Sequence, residues 1–451
     1  MKAISITLKH FYTLFGALYL SVLLFTSCSD NDDNKEDEDN GGGTSTPTLS
    51  LSPKVTDIVF SATATEDYTY EVTTNQTEWN VEVAPATATW CTVKKSSDGK
   101  SFSVKATQNE ENVVPEKATI TVTAGKAKTI SFSATQDKAY SIYIAGYEDD
   151  AVSSGHLYTT YWIDGQKTTV GQTIGHESTI NRNHILSVSG KDVYTIGIEK
   201  KGNLDIACYW KNGEKNILGT GITLSEARAI YAHNTDVFVA GTEYNSDNKS
   251  IACYWKNNKK IALGDETNST WSLDITVSGN DVYILGVEEA SSDEMAPPFY
   301  WKNGEKIAIT GATAGDQAYS ILVDKNDVYI IGKSSDEEYS TNACYWKNGE
   351  KIVLSDGVDD CAKDIFIDGD DVYISGYINA VACYWKNGEK VMLDEESKMS
   401  LGTSICVWNN DVYVAGHDSN SEDASNACFW KNGKKTTLSN LYSFVGCITV
   451  Q

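Results

Sequence analysis

The chain is short of positive charge: 37 Lys and Arg stand against 62 Asp and Glu, a formal net charge of −25 over 451 residues. Phosphate backbones are held by clustered Lys and Arg, so nucleic acid is excluded as a partner and a solvated acidic exterior is expected. Long apolar runs are absent apart from one, FYTLFGALYLSVLLF at residues 11–25. That run is too short for a comfortable membrane span. It follows Lys2, Lys9 and His10 and leads into small residues, the order of an export signal rather than of a folded element. Histidine is scarce, with six in the chain, and neither a metal-ligand spacing nor a D-x-[DN]-x-[DN]-G loop occurs. Five of the ten cysteines, Cys208, Cys253, Cys344, Cys383 and Cys428, fall at one place of a repeated motif. Equivalent positions in different copies are too far apart for a disulfide, so they read as small buried hydrophobes.

What the chain has is repetition. ACYWKNGEK occupies residues 207–215, 343–351 and 382–390, and Trp162, Trp210, Trp255, Trp301, Trp346, Trp385 and Trp430 recur at intervals of 39 to 48 residues. A period of that length built from short strands is the sequence signature of a β-propeller. One copy divides into AYSILV, the turn DKND, VYIIG, a longer loop, ACYW, the turn KNG and EKIVL, which makes four antiparallel strands. Asn-Gly suits a two-residue hairpin because both positions need positive φ; Asn258 stands where most copies have Gly. Six Asp precede V-Y or V-F (Asp192, Asp236, Asp281, Asp327, Asp371 and Asp411) and read as turn caps. Side chains alternate along ACYW, so Cys208 with Trp210 and Ala207 with Tyr209 are expected to fill successive inter-blade cores rather than to form exposed sugar platforms. The first copy opens at YSIYIAG without its inner strand, and FVGCITV at the C-terminal end is that strand. The expected ring is therefore seven-bladed, spans 137–451, and is closed by the C-terminal strand so that no sheet edge is left free.

Residues 49–136 alternate apolar and polar positions in YTYEV, WNVEV, FSVKA, ATITVTA and TISFSA, the pattern of half-buried strands in a small β-sandwich. The expected fold is thus all-β, a sandwich followed by a propeller. Through TEWNVEV, TWCTV, SFSVKATQNEEN, KATITVTAG and ISFSATQ the segment resembles the BACON domain. That resemblance implies either a carbohydrate site, with Trp79 or Trp90 against a sugar, or a spacer; the alternation places both indoles in the core. LFTSC resembles a bacterial lipobox, with Phe25 in place of the usual Leu. It implies a signal peptide at 1–27 and lipidation of Cys28. Residues 28–48, too polar to bury a core, then form a flexible acidic tether. An acidic run after such a cysteine is similar to the surface-export signal of Bacteroidota lipoproteins, implying a lipid anchor in the outer membrane and exposure at the cell surface. The repeated unit is similar to the HAF repeats of extracellular bacterial proteins, a likeness that brings no activity; the Gly-Gly doublets of kelch and the Trp-Asp of WD40 repeats are absent.

Connection lengths carry the functional signal. DKND, DGDD, SGND and KNGE are short and uniform, while the connections after VYxxG and after xxL vary from YINAV to VEEASSDEMAPP. The two kinds lie at opposite ends of an up-and-down sheet, and function favours variable loops on a rigid scaffold. The variable face is acidic: Glu148 to Asp150, Glu288, Glu289, Asp293, Glu294, Asp336 to Glu338, Asp359, Asp360, Glu395 and Glu396. Solvated charge is the reading, with calcium as the alternative. His156, His176, His184 and His417 are brought toward the seam by ring closure and, with Trp79, are the candidate ligand contacts. No catalytic residue and no cofactor are assigned. The expectation is a monomeric, non-catalytic surface protein that binds a glycan or another protein. The alternative, a polysaccharide lyase or glycoside hydrolase, needs convergent carboxylates, or a histidine with a carboxylate, at the channel mouth.

Overall fold

The structure, a computed structural model, describes residues 45–111, 113–149, 157–172, 184–265, 267–290, 295–335, 341–393, 399–421 and 424–451. Cys28, the export segment, His156, His176, Asp150, Asp293, Glu294, Asp336 to Glu338, Glu395 and Glu396 lie outside the described residues. All named elements are β-strands.

Local turn chemistry sets the hairpins. Asn212 and Gly213 have φ of 51° and 83°, and Asn303–Gly304, Asn348–Gly349, Asn387–Gly388 and Asn432–Gly433 repeat the pair. Asn257 and Asn258 adopt the same left-handed conformation without glycine, as asparagine tolerates best among residues with a side chain. The six aspartates do not cap their own turns. Asp236 Oδ1 instead accepts from Asn257 Nδ2 at 2.8 Å, Lys256 Nζ lies 3.2 Å from its other oxygen, and the Asn257 side-chain Oδ1 takes the Val237 N–H at 2.9 Å. Asp192, Asp281, Asp327, Asp371 and Asp411 make the same bracket with their own Lys and Asn. The correction has a simple cause: the neighbouring KNG hairpin lies alongside and offers a cation and an amide, stronger partners than the turn's own N–H. These carboxyls sit below the usual range because of those bonds.

Residues 49–136 form two four-stranded sheets around Phe60, Tyr70, Trp90, Phe102 and Phe132. From Ile142 to Val450 the chain makes seven more four-stranded sheets in sequence order. Their first strands are Leu186–Ser189, Ser225–His233, Thr270–Ser278, Gln317–Asp324, Asp360–Asp368 and Met399–Trp408 in sheets two to seven. Sheet one is composite: Ile142–Asp149, Leu157–Ile163 and Gln166–Gln172 are joined by Ser443–Val450, with Ile142 opposite Val450 and Glu148 opposite Ser443. Consecutive first strands pack against one another, and Ser443–Val450 meets both Met399–Trp408 and Leu186–Ser189. Each neighbouring pair of sheets shares an apolar core, and the core of Trp162, Tyr413 and Val445 joins the seventh sheet to the first.

The shared cores explain the aromatic repeat. Cys344 and Trp346 pack toward the preceding sheet with Tyr283 and Leu285, whereas Ala343 goes toward the following one with Ile374 and Trp385. The recurring indoles are fully buried, from Trp162 to Trp430. They account in part for the glycine of VYxxG, which elsewhere, as at Gly332 and Gly146, is crowded by a carbonyl oxygen of the adjoining first strand, Gln317 O at 1.9 Å and Phe444 O at 2.0 Å. A Cβ on Gly286 would sit 2.1 Å from the Trp301 ring, on Gly241 2.5 Å from that of Trp255, and on Gly197 2.5 Å from that of Trp210. The glycine is needed for room, not for φ, because these residues are extended.

Gly286→Ala is therefore expected to destabilise by about 1–3 kcal/mol through overpacking, and Trp301→Ala by about 3–5 kcal/mol. The two changes should not add, since removing the indole makes room for the methyl. Additive losses in a double-mutant cycle of chemical denaturation would contradict the coupling.

Candidate functional site

Six of the seven first strands carry a register shift at the same place, next to Ala229, Asp274, Ser320, Asp364, Ser404 and Cys447. A bulge re-aims side chains, and here the residues that follow it reach across the axis to one another. His184, held at φ 44° just before Leu186–Ser189, lies between two of them. Its Nδ1 is 2.8 Å from Asp274 Oδ1, and its Nε2 is 3.3 Å from Asp364 Oδ1. Asp274 also accepts the N–H groups of Ile275 and, across to sheet five, Ile321, each at 2.8 Å. Asp364 accepts from Ile365 N–H at 2.8 Å, Ser404 Oγ at 2.7 Å, Ser320 Oγ at 3.3 Å and Ile405 N–H at 3.2 Å. The Ile230 N–H closes on the His184 carbonyl at 2.9 Å, and Ile448 N–H on Ser404 Oγ at 3.2 Å. One polar clasp thus joins first strands of all seven sheets.

Burial disfavours a charged imidazole, but the adjacent Asp274 and Asp364 carboxylates outweigh it and hold His184 well above the usual histidine range. Burial likewise opposes ionisation of Asp364, and the imidazolium, the Ser404 hydroxyl and the Ile365 N–H bring its carboxyl below the usual range. A cavity of about 370 Å³ lies on the short-turn side of this clasp, with Leu186, Val188, Ile230, Phe366 and Cys406 among its walls and His184 and Asp364 at its base. All four carboxylate oxygens already accept hydrogen bonds, so neither acid is free to serve as a base.

The sequence candidates occupy separate places. His417 is buried on Asp411–Ser421, its ring edge-on to Phe444 at 4.9 Å, which does put it at the seam. Burial first, then the Lys363 ammonium, push it down to about 4, so it is neutral at physiological pH. His184 is at the axis instead, held by other partners. Trp79 is half-buried against Phe102, donates its N–H to the Gly99 carbonyl at 2.8 Å, and has Lys95 over its ring at 4.3 Å. Trp90 is buried and donates to the Glu116 carbonyl at 2.8 Å. Two acids of the variable face are not solvated. Glu148 is buried with Lys167 at 2.6 Å, and Asp360 accepts the Gly357 and Asn379 N–H groups at 3.1 Å. Lysines one hairpin away and loop N–H groups reach back to these oxygens.

Asp274 and Asp364 carry no signal in the acid-rich loops. They show only when the first strands are aligned, where SLDITV and AKDIFI hold an acid and TSICV or AYSILV a serine. The variable connections present a different chemistry from the short turns. Ile222 is 80% exposed, Val358 70%, Met399 43%, Tyr442 41% and Met295 41%, and all lie on variable connections or their borders. Among the described residues Tyr442 is the sole exposed aromatic.

No family model matches the sequence, and no curated protein does. The resemblances to BACON and HAF units therefore rest on the quoted residues. Among solved structures, the chain is similar to TolB from Acinetobacter baumannii at 7% identity and TM-score 0.39, over 63% of this chain and 77% of that one. A Mycobacterium tuberculosis puromycin-hydrolyzing peptidase is similar at 11% identity and TM-score 0.33, over 58% of this chain and 54% of that one. RS223-β-xylosidase is similar at 9% identity and TM-score 0.27, over 60% and 93%. Likeness at these levels transfers no activity.

The clasp gives a pH signature. A histidine raised in the folded state stabilises fully below its unfolded value of about 6.5 and loses that contribution as pH rises through the folded value. A lowered aspartate contributes above its unfolded value of about 3.9 and loses it as pH falls toward the folded one. The clasp should therefore hold best between about pH 4 and 6.5. His184→Gln, which leaves a buried carboxylate without its cation, should cost about 3–5 kcal/mol there. The gap in Tm between the variant and the parent should narrow at alkaline pH; a gap constant from acid to alkaline pH would show that His184 carries no charge.

Proposed function

We propose that the chain is a non-catalytic, lipid-anchored surface protein: Cys28 lipidation, an acidic tether, a BACON-like sandwich, then a seven-bladed propeller of HAF-like repeats closed by its C-terminal strand. It acts as a monomer at the outer membrane of a Bacteroidota-type cell and holds a glycan or a surface protein on its variable-loop face. The observation that carries this reading is the split between the two ends of the sheets. At the short-turn end the same Asp–Lys–Asn bracket recurs in sheet after sheet, whereas the connections of the other end differ in length and sequence and each exposes a side chain of its own: Ile222, Val358, Met399 or Tyr442. Variable connections carried on a rigid scaffold are what a binding surface offers.

Chain geometry favours the same face. The sandwich ends at Gln136 and Ile142 opens sheet one at the short-turn end, opposite Val450. An anchor at the N-terminus therefore leads into the short-turn end and leaves the variable face remote from the membrane.

The hydrolase reading draws on His184 between two carboxylates, the arrangement such an enzyme needs. Its oxygens are all taken by backbone and serine donors, which favours cohesion over chemistry.

Replacing residues 356–358 and 440–442 with Gly and Ser should abolish binding on glycan and surface-protein arrays while the thermal transition is kept. Trp79→Ala should leave binding unchanged. Loss of binding with Trp79→Ala alone, the fold intact, would move the site to the sandwich, and turnover of an oligosaccharide by the parent chain would make it an enzyme.

A further inference from the structure

The cavity on the short-turn side of the clasp is put to no use by the reading above. It holds about 370 Å³, which is within the range of small-molecule sites. Leu186, Ile230, Ile275, Leu322 and Phe366 wall it, one from each of sheets two to six, so these side chains face a single shared space. A second hollow, of about 520 Å³ between sheets three and four, has Tyr231 and His233 in common with it. His233 is exposed, which gives the cavity a way in from solvent.

Local charge and hydrogen bonding decide what fits. The clasp at the base brings two carboxylates, Asp274 and Asp364, against one imidazolium, His184. That is a surplus of one negative charge in apolar surroundings, where it is weakly screened. Asp324 and Asp368 stand two residues beyond Leu322 and Phe366, on the same face of their strands by the alternation of the pleat. Lys325 lies 3.7 Å from Asp324, and Lys256, in the side hollow, is held 3.2 Å from the Asp236 carboxylate. Both clasp acids already accept at every oxygen. Thr276 lines the cavity, is 6% exposed, and its hydroxyl has no hydrogen-bond partner among the described residues. An anion there would meet the surplus charge, and a sugar would set its hydroxyls against aliphatic walls. We propose that this cavity binds a small organic cation, an amine on an apolar body, with the body against Leu322 and Phe366 and the ammonium donating to Thr276 Oγ1. The site is independent of the variable face, and no bond is made or broken in it.

Calorimetric titration of the full chain with phenylpropylamine, phenylpropanol and phenylpropanoate compares three probes of one shape and different charge. The amine should bind about tenfold tighter than the alcohol, and the carboxylate should not bind. Thr276→Val should weaken the amine about fivefold through the lost hydrogen bond. Leu322→Trp, which fills the cavity, should abolish amine binding while the thermal transition is kept, and Val358→Ser on the variable face should leave it unchanged. A photoreactive diazirine analogue of the amine locates the site in the parent chain even where Leu322→Trp does not fold; its label should fall on the strands of Thr276, Leu322 or Phe366. Failure of the amine to bind, or equal binding of the alcohol or the carboxylate, overturns the proposal. So does amine binding retained by a folded Leu322→Trp chain, or a label confined to other strands. None of these outcomes bears on the variable-face reading.

Discussion

The structure depends on a space constraint between neighbouring sheets. Each sheet is open on both faces and cannot bury its own apolar groups; it must share them with the sheets before and after it. The indole of ACYW fills that shared space, and the glycine of VYxxG leaves room for the indole, as at Gly286 where a Cβ would sit 2.1 Å from Trp301, or for a carbonyl oxygen of the adjoining first strand, as at Gly332. Two motifs that look independent in the sequence are thus one packing unit. Their repetition follows from the repetition of the interface, with no ligand required.

A second device acts where packing cannot. The first strands meet at the axis along their unpaired edges, and buried N–H groups there need acceptors. Asp274 and Asp364 supply them to Ile321 and Ile405, each one sheet on from the acid that holds it, and His184 balances their charge. Buried charge is costly unless paired and bonded. Here both conditions hold, and the clasp fixes the relative height of the sheets as well as their contact. Cohesion is thereby carried chiefly by the inside and the short-turn end, while at the variable end local bonds such as Asp360 with the Gly357 and Asn379 N–H groups hold each connection to its own sheet.

Much of this was legible in the sequence. The four-strand unit, the left-handed Asn-Gly turns and the pairing of FVGCITV with YSIYIAG follow from alternation, turn chemistry and counting, because each depends on residues close in the chain. The alternation of Cys-Trp and Ala-Tyr toward opposite neighbours follows from the pleat. The partners of Asp192 and its equivalents did not, since they come from a hairpin about twenty residues away that happens to lie alongside. The axial clasp was hidden for a similar reason: Asp274, Asp364 and His184 are far apart in sequence and stand on strands whose motif reads as apolar. His417 was placed near the seam by ring closure, but its burial under Phe444 was not, because nothing local marks that contact. The exposed aliphatics on the variable connections were also invisible, since exposure of an isolated Val358 or Ile222 is decided by how a loop rests on its sheet.

Interior indoles shared between neighbouring sheets should make the sheets one cooperative body. Acrylamide quenching of tryptophan fluorescence, followed with labelling of Cys208, Cys253, Cys344, Cys383 and Cys428 through a denaturant titration of the full chain, tests it most directly. The account predicts that these thiols stay protected and most of the fluorescence unquenched in the native state, then all become accessible in a single transition. Thiols and indoles that open sheet by sheet, or that are already reachable without denaturant, would contradict it.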